Sequence, residues 1–107
     1  MKFMTISKMK DSASLVPPAT MRQLLEATMA MVDAQKKAGK LLEIYFIPEG
    51  GTVVICEHPS AEDLAQTITS IPLSGLMSHQ VYPLADLNEA MKALDESLKA
   101  AEQLVPK

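Results

Sequence analysis

The sequence contains no tryptophan and only four other aromatic residues, two Tyr and two Phe, among 107 positions. Its formal net charge is −3, and no segment concentrates Lys and Arg. A surface that binds nucleic acid needs clustered positive charge to displace counterions, and it usually offers aromatic rings on which bases stack. The composition therefore predicts no nucleic-acid partner.

Cysteine is equally scarce. Cys56 is the only one, so no disulfide can form within the chain, which favours a reducing compartment. Residues 1–10 alternate apolar with polar or charged side chains and lack the continuous apolar run of a signal peptide. No segment approaches the roughly 20 apolar residues that cross a bilayer. We expect a cytoplasmic protein with no membrane partner.

Apolar residues are present in the usual proportion for a folded protein. Hydrophobic residues make up 48% of the chain and charged residues 21%, which is too apolar for a disordered segment. A chain of this length can bury one hydrophobic core. We therefore expect a single domain over residues 1–107.

Alternation, helical periodicity and capping residues predict four strands and three helices. The first helix is the most clearly marked, since Pro17-Pro18 precede it, Lys36-Lys37 occupy its last turn and Gly39 follows it. Ser60 and Asp86 are the predicted N-caps of the other two helices. In chain order we expect a strand at 2–8, a polar loop at 11–16, a helix at 19–38, strands at 41–47 and 52–57, a helix at 61–71, a strand at 76–82 and a C-terminal helix at about 86–105.

The two central strands should form a hairpin around Gly50-Gly51, and both of their sides are largely apolar. Alternation places Leu42, Ile44 and Phe46 on one side, and Leu41, Glu43, Tyr45 and Ile47 on the other.

The order β-α-β-β-α-β followed by a terminal helix is the ferredoxin-like pattern, an α+β fold with an antiparallel sheet. Right-handed crossovers place both internal helices on one face of that sheet. The second apolar face then needs another layer, which a second sheet from an identical chain would supply. We expect a homodimer or higher homo-oligomer of the dimeric α/β-barrel type.

The run from Gly39 to Leu84, above all EHPSAEDLAQTITSIPLSGLMSHQVYPL, resembles the muconolactone isomerase family. The shared features are an acidic residue, one variable position and Pro-Ser, followed by an acidic helix that ends in Ile-Pro-Leu before the last strand. The resemblance implies a ferredoxin-like subunit in a homo-oligomer. It also implies a proton shift in a small unsaturated lactone, without metal or organic cofactor.

The sequence departs from that family at two places that would shape a pocket. The middle of the first helix reads LLEATMAMV, with Glu26 as its only ionisable group, where the family is rich in acids and lysines. Ser74-Gly75 follow Ile-Pro-Leu where the family has bulky residues. For this reason no catalytic residue is carried over by motif.

Moving a proton requires a base beside an acidic C–H and an acid that returns the proton. Glu26 is one candidate base, and its alternative is a carboxylate at the solvated edge of a helix. Glu43 and Tyr45 share the strand face turned from the helices, about 7 Å apart, where they would flank a pocket or make contacts between chains. His79 is a candidate proton donor or orienting group, and its alternative is a satisfied core histidine.

The sequence predicts neither a metal nor an organic cofactor. His58 and His79 show no ligand spacing with Cys56 or with a carboxylate. His58 precedes a proline at a strand end, where a capping or solvated histidine is expected. Cys56 is expected to be a small buried side chain, and Gly50-Gly51 lack the pattern of a phosphate-binding loop.

Three functions remain open at this point. The first is a muconolactone-isomerase-like homo-oligomer with a pocket between sheet and helices for a small carboxylated or lactone-like molecule, with Glu26 or Glu43 as base and Tyr45 and His79 as partners. The second is a non-catalytic homo-oligomeric module that binds a metabolite or only itself. The third is a cofactor-free monooxygenase of the same architecture, because the fold does not select among these activities.

Overall fold

The computed structural model describes residues 1–104, which form one four-stranded sheet and three α-helices. The strands are β1 (Lys2–Met9), β2 (Leu41–Ile47), β3 (Gly51–Glu57) and β4 (Met77–Leu84). The helices are α1 (Pro18–Lys37), α2 (Ala61–Ser70) and α3 (Leu87–Leu104), with short 3₁₀ turns at Asp11–Leu15 and Ser74–Leu76.

The sheet has the strand order β2-β3-β1-β4, and all its pairs are antiparallel. This order confirms the predicted ferredoxin-like α+β fold with an added C-terminal helix. Most element ends lie within one residue of the prediction, and two differences are larger. The segment after β1 is a 3₁₀ turn rather than an irregular polar loop, and β4 extends two residues further than expected. The predicted continuation of the last helix to residue 105 lies outside the described residues.

Local signals account for the helix ends. Gly39, at φ +74°, follows α1, and the chain closes there with hydrogen bonds from Gly39 N to Lys36 O and from Lys40 N to Gln35 O. Such a paired closure uses the left-handed conformation that glycine adopts without strain. Ser60 Oγ accepts a hydrogen bond from Asp63 N at 3.1 Å, which confirms Ser60 as the N-cap of α2.

Asp86 caps the last helix in the same way, since its Oδ2 accepts a hydrogen bond from Glu89 N at 3.1 Å. The side chains of Asp86 and Glu89 both lie at the positive end of the α3 dipole, where negative charge is stabilising. The capping residues therefore fix where α2 and α3 begin, as the sequence predicted.

A β-bulge interrupts the pairing of β2 with β3. Leu41 pairs with Cys56 and Glu43 pairs with Ile55, so two residues of β2 oppose one residue of β3. The bulge turns Leu41 to the helix side of the sheet, where it shares a cavity with Ile44. Simple alternation had placed Leu41 on the opposite side of the sheet. That prediction is wrong because the extra residue shifts the alternation of side chains along β2 by one position.

The hairpin between these strands turns at Gly50 and Gly51, both of which have positive φ. Gly51 also lies against β1, where an added Cβ would collide with the carbonyl oxygen of Ser7. Position 51 therefore requires glycine on two grounds, its backbone conformation and the close approach of β1.

The buried core lies between the sheet and α2. Phe3, Cys56 and Leu64 are each less than 5% exposed, and Val54 and Ile68 pack against them. Cys56 Sγ is 3.6 Å from the carbonyl oxygen of Phe3, and burial raises the pKa of its thiol. Cys56 is thus the small buried side chain that the sequence predicted.

Both internal helices lie on one face of the sheet, and the other face is left without a layer. Every residue of α3 is exposed, so within residues 1–104 the terminal helix covers neither face. The molecule is correspondingly long, with dimensions of 70 × 31 × 24 Å. No helix among the described residues has both the length and the apolar character needed to cross a membrane.

Candidate functional site

A cavity of about 520 Å³ lies between the helix-facing side of the sheet and the helices α1 and α2. All four strands and both helices contribute to its wall, which is almost entirely apolar. The volume is within the roughly 300–1,000 Å³ that is typical of small-molecule sites. This cavity is therefore the candidate site.

Five methionine side chains line the wall. Met21, Met29 and Met31 come from α1, and Met9 and Met77 come from β1 and β4. No residue of α1 is fully buried, because the helix spans the cavity rather than packing directly on the sheet. Unbranched thioether side chains adapt their shape to an irregular occupant. The α1 side of the cavity is thus suited to an apolar ligand.

His79 makes one end of the wall polar. It pairs with Ser7 across β1 and β4, and Ser7 Oγ lies 2.7 Å from Nδ1 of the ring. Ser74 Oγ lies 3.1 Å from Nε2 on the other side. Burial lowers the pKa of His79 from its ordinary value of 6.5, a hydrogen bond to the Ser74 backbone raises it, and the charge of Lys10 lowers it. At neutral pH His79 is therefore a neutral imidazole, with one nitrogen donating and the other accepting.

His58 makes a second polar end. It is 3% exposed, and its Nδ1 lies 2.7 Å from Oδ2 of Asp63. The same carboxylate oxygen is 4.0 Å from Nζ of Lys40. The hydrogen bond from His58 is the main cause that lowers the pKa of Asp63, opposed by desolvation and supported by the charges of Lys40 and His58. Asp63 is consequently a carboxylate that fixes the orientation of the His58 ring.

The two histidines lie at opposite ends of the cavity. His79 pairs with Ser7, whereas His58 directly follows Glu57, which pairs with Lys2 at the other end of β1. His58 is level with Met1, six positions from Ser7, and six residues at about 3.3 Å each correspond to roughly 20 Å. The two imidazoles therefore cannot act on the same atom of a bound molecule.

Two further oxygens of the wall lack partners. Thr28 Oγ1 and Gln35 Oε1, both on α1, are buried and have no hydrogen-bond partner within residues 1–104. A buried polar atom without a partner is unfavourable, so each of these oxygens lowers the stability of this arrangement. In the same part of the chain, no group of three or more His, Cys, Asp or Glu side chains is arranged to hold a metal ion.

Of the four residues predicted to carry chemistry, His79 alone lines the cavity. Glu26 is exposed on α1. Glu43 and Tyr45 share the sheet face turned from the helices, as alternation predicted, and Tyr45 Oη lies 3.4 Å from Glu43 Oε2. Tyr45 is 60% exposed on that face. The structure thus brings Glu43 and Tyr45 together, but on the face opposite the cavity.

Sequence reasoning missed His58 as a cavity residue. The expectation of a solvated or capping histidine is wrong, because two backbone hydrogen bonds with Met1 hold His58 at the edge of the core. The available signal was Asp63, since a carboxylate at the third position after an N-cap can reach back beyond the cap. Ser7 was missed as well, because only the pairing of β1 with β4 places it beside His79.

Comparison with known families decides which group of proteins this chain belongs to. The family described as muconolactone delta-isomerase matches residues 1–90. The chain belongs to the muconolactone delta-isomerase family. The match covers the whole sheet and the first two helices, and it ends four residues into α3.

Solved structures support the same fold. A crystal structure of muconolactone isomerase is similar with a TM-score of 0.70 and 21% identity, over 80% of this chain and 90% of that chain. The 5-chloro-2-hydroxyhydroquinone dehydrochlorinase of Burkholderia phenoliruptrix, in complex with 2,5-dihydroxybenzoquinone, is similar with a TM-score of 0.62 and 16% identity, over 83% and 98% of the two chains. Comparison with curated protein sequences gives no match. At these identities the structures show the shared fold.

Proposed function

We propose that the chain binds a small unsaturated organic molecule, such as a lactone or a carboxylate, and moves a proton within it without a cofactor. Membership of the muconolactone delta-isomerase family supports this class of reaction. The observation that carries the proposal is the apolar cavity with a neutral, serine-held imidazole in its wall. An apolar site of this kind strengthens every polar interaction with a developing charge.

His79 is the residue that we assign to proton transfer. A neutral imidazole takes the proton from an acidic C–H, which leaves an enolate, and the imidazolium then returns the proton to another carbon of the same molecule. One of Ser7 and Ser74 accepts from the ring N–H and holds the ring during both steps. The other donates to the unprotonated nitrogen at rest and must turn away before that nitrogen takes the proton from the bound molecule. Ser7 also lines the cavity. Neither Glu26 nor Glu43 lines the cavity, so the proposed reaction assigns them no step.

The proposal is tested by adding muconolactone to the parent protein and following its conversion by ultraviolet absorbance. We expect turnover in the parent and a loss of about 10²–10⁴-fold in kcat for His79→Gln, the usual contribution of a general base. Ser78→Ala is the matched control, since Ser78 is the exposed neighbour of His79 on the other side of β4. A loss in Glu26→Gln instead would return the role of base to Glu26.

We also propose that the active form is a homo-oligomer, with a second copy on the sheet face opposite the cavity. Within residues 1–104 nothing packs over that face, and it carries half-buried apolar side chains from Met4, Ile6, Val53 and Ile55. The same face of an identical chain would cover these side chains and remove them from water.

The buried thiol of Cys56 supports a reducing compartment, and we place the protein in the cytoplasm.

Sedimentation velocity at micromolar concentration tests the assembly. We expect a particle larger than the 11.6 kDa of one chain. Ile55→Glu should dissociate it, because burying an unpaired carboxylate in the interface has a large unfavourable desolvation free energy. A stable monomer would contradict the proposed assembly. An intact oligomer that binds organic ligands but never converts muconolactone would favour the non-catalytic binding module.

A further inference from the structure

The C-terminal helix α3 leaves its apolar side open to solvent within residues 1–104. Leu87, Met91, Leu94 and Leu98 are each more than half exposed, and no residue of the helix is buried. In proteins, most of the stability of a helix comes from packing its apolar side against another element. The family match ends at residue 90, so the shared family pattern does not account for most of α3. A partner for this helix therefore has to come from a second molecule.

The spacing of the apolar residues indicates that the partner is another helix. Along α3 these residues follow one another at steps of four, three, four and three positions: Leu87, Met91, Leu94, Leu98 and Ala101, which together we call the α3 seam. Such a heptad spacing makes a narrow line of contact and is the pattern of two helices that wind around each other. A helix that packs on a globular surface has a wider apolar stripe. Leu104 is the only large apolar residue of α3 that lies off the seam.

The residues beside the seam favour a parallel pair of identical helices. One edge of the seam carries Asn88, Asp95 and Glu102, and the other edge carries Ala90, Ser97 and Leu104. In an antiparallel pair each edge faces the same edge of the other helix, so acidic side chains would face acidic side chains and repel them. In a parallel pair the acidic edge of each helix faces the uncharged edge of the other. Asp95 already has a cation on its own helix, since Lys99 Nζ lies 3.1 Å from its Oδ2.

We propose that α3 is a self-association surface that pairs in parallel and in register with α3 of a second copy of this chain. A two-fold axis along the pair then places each seam residue against its own counterpart. The pairing is separate from the proposed sheet-face contact, because the two surfaces share no residue. It also goes beyond the proposed proton transfer, since none of the described residues of α3 lines the cavity.

Disulfide cross-linking of the full chain tests both the pairing and its direction. Leu98→Cys places a thiol on the seam, where the two copies would face each other at a distance that a disulfide can span. Glu96→Cys is the matched control, because Glu96 is exposed on the side of α3 opposite the seam. The native thiol of Cys56 is buried and is common to both variants.

Under mild oxidation we expect the covalently dimeric fraction of Leu98→Cys to be about tenfold higher than that of Glu96→Cys, since only the first pair of thiols meets the geometry of a disulfide. Equal fractions in the two variants, or no cross-link in Leu98→Cys, would overturn the proposal. The open sheet face of a second copy is the alternative seat for α3. A cross-link between Leu98→Cys and Ile55→Cys chains in place of the Leu98→Cys self-cross-link would therefore also overturn it.

Circular dichroism provides a second test that needs no added thiol. Leu94→Gln puts a polar side chain on the seam, and Ala93→Gln puts the same side chain on the exposed neighbouring position. Leu and Gln have similar helix propensities, so a change in helix content reports the lost packing. We expect Leu94→Gln alone to lose helical ellipticity at 222 nm, by up to the share of the 18 residues of α3. Equal ellipticity in Leu94→Gln and the parent protein would overturn the pairing.

The helix pairing and the sheet-face contact fail in different experiments. Ile55→Glu, which is designed to remove the sheet-face contact, should leave the Leu98→Cys cross-link in place. Turnover of muconolactone is measured independently of both contacts, so its absence would remove the proposed reaction and leave the pairing of α3 standing.

Discussion

Replacing Ser7 by Ala tests the hydrogen bond that positions His79. Ser7 is 6% exposed, and its Oγ lies 2.7 Å from His79 Nδ1. Ser7→Ala leaves a partly buried ring nitrogen without its partner, which costs about 1–3 kcal/mol. An unfolding entropy of about 2.1 cal/mol/K per residue means that each kcal/mol lowers the Tm of this chain by about 4 °C. We expect Ser7→Ala to melt roughly 4–13 °C below the parent protein.

Circular dichroism melts measure this difference, at one fixed protein concentration because association makes Tm depend on concentration. Ser78→Ala is the control. Ser78 is exposed, and its hydroxyl reaches the Lys8 carbonyl only at 3.5 Å, so its loss should change the free energy of unfolding by less than about 0.5 kcal/mol. A Ser7→Ala Tm as close to the parent as that of Ser78→Ala would refute the reasoning.

A double-mutant cycle separates the hydrogen bond from the other effects of Ser7. In a His79→Leu background the partner of the serine is already gone, so adding Ser7→Ala should cost much less than it does in the parent. The difference between the two costs is the coupling energy of the pair. Equal costs in the two backgrounds would show that Ser7 stabilises the sheet independently of His79.

Three further predictions concern pH and packing. Because the pKa of His79 is lowered and only the neutral ring acts as a base, kcat/KM should be constant at neutral pH and fall at acidic pH with a midpoint below 6.5. A pH–rate profile with a midpoint above that value would contradict the assignment of His79 as the base. The pKa of Asp63 is lower in the folded protein than its ordinary value of 3.8, so its contribution to stability is complete above 3.8 and is lost as pH falls through the pKa of the folded protein. Asp63→Asn should therefore flatten the decline of Tm at acidic pH. An unchanged decline would remove Asp63 as a source of that stability. Leu64→Ala should cost about 2–5 kcal/mol in urea unfolding, because Leu64 packs against Phe3 and Cys56 in the core; a cost well below 1 kcal/mol would mean that the neighbouring cavity already accommodates the loss.

The fold could be predicted from the sequence because its signals are local. Pro17-Pro18, Ser60 and Asp86 mark helix starts through their own backbone and side-chain chemistry, and Gly39 marks a helix end. Alternation along the chain then marks the strands. The right-handed crossovers of the β-α-β units place both internal helices on one face of the sheet. The side of the sheet on which Leu41 lies was predicted wrongly, since one inserted residue in β2 leaves no distinct trace in the sequence.

The candidate site was harder to predict because its polar groups meet across the fold. Ser7 and His79 are 72 positions apart, and only the β1–β4 register brings them together. Alternation correctly placed Glu43 and Tyr45 on one face, but it gives no information about which face borders a cavity. His58 becomes a cavity residue through its hydrogen bonds with Met1, at the far end of the chain.

The tight approach of Gly51 to β1 has a consequence for how substitutions at the hairpin would behave. A side chain at position 51 would push the Ser7 carbonyl aside, and the hydroxyl of the same residue would then move off the His79 ring. Gly51 itself has no side chain that could react. A mutational survey scored on turnover would nevertheless rank position 51 with the reactive residues, since it determines the spacing on which they depend.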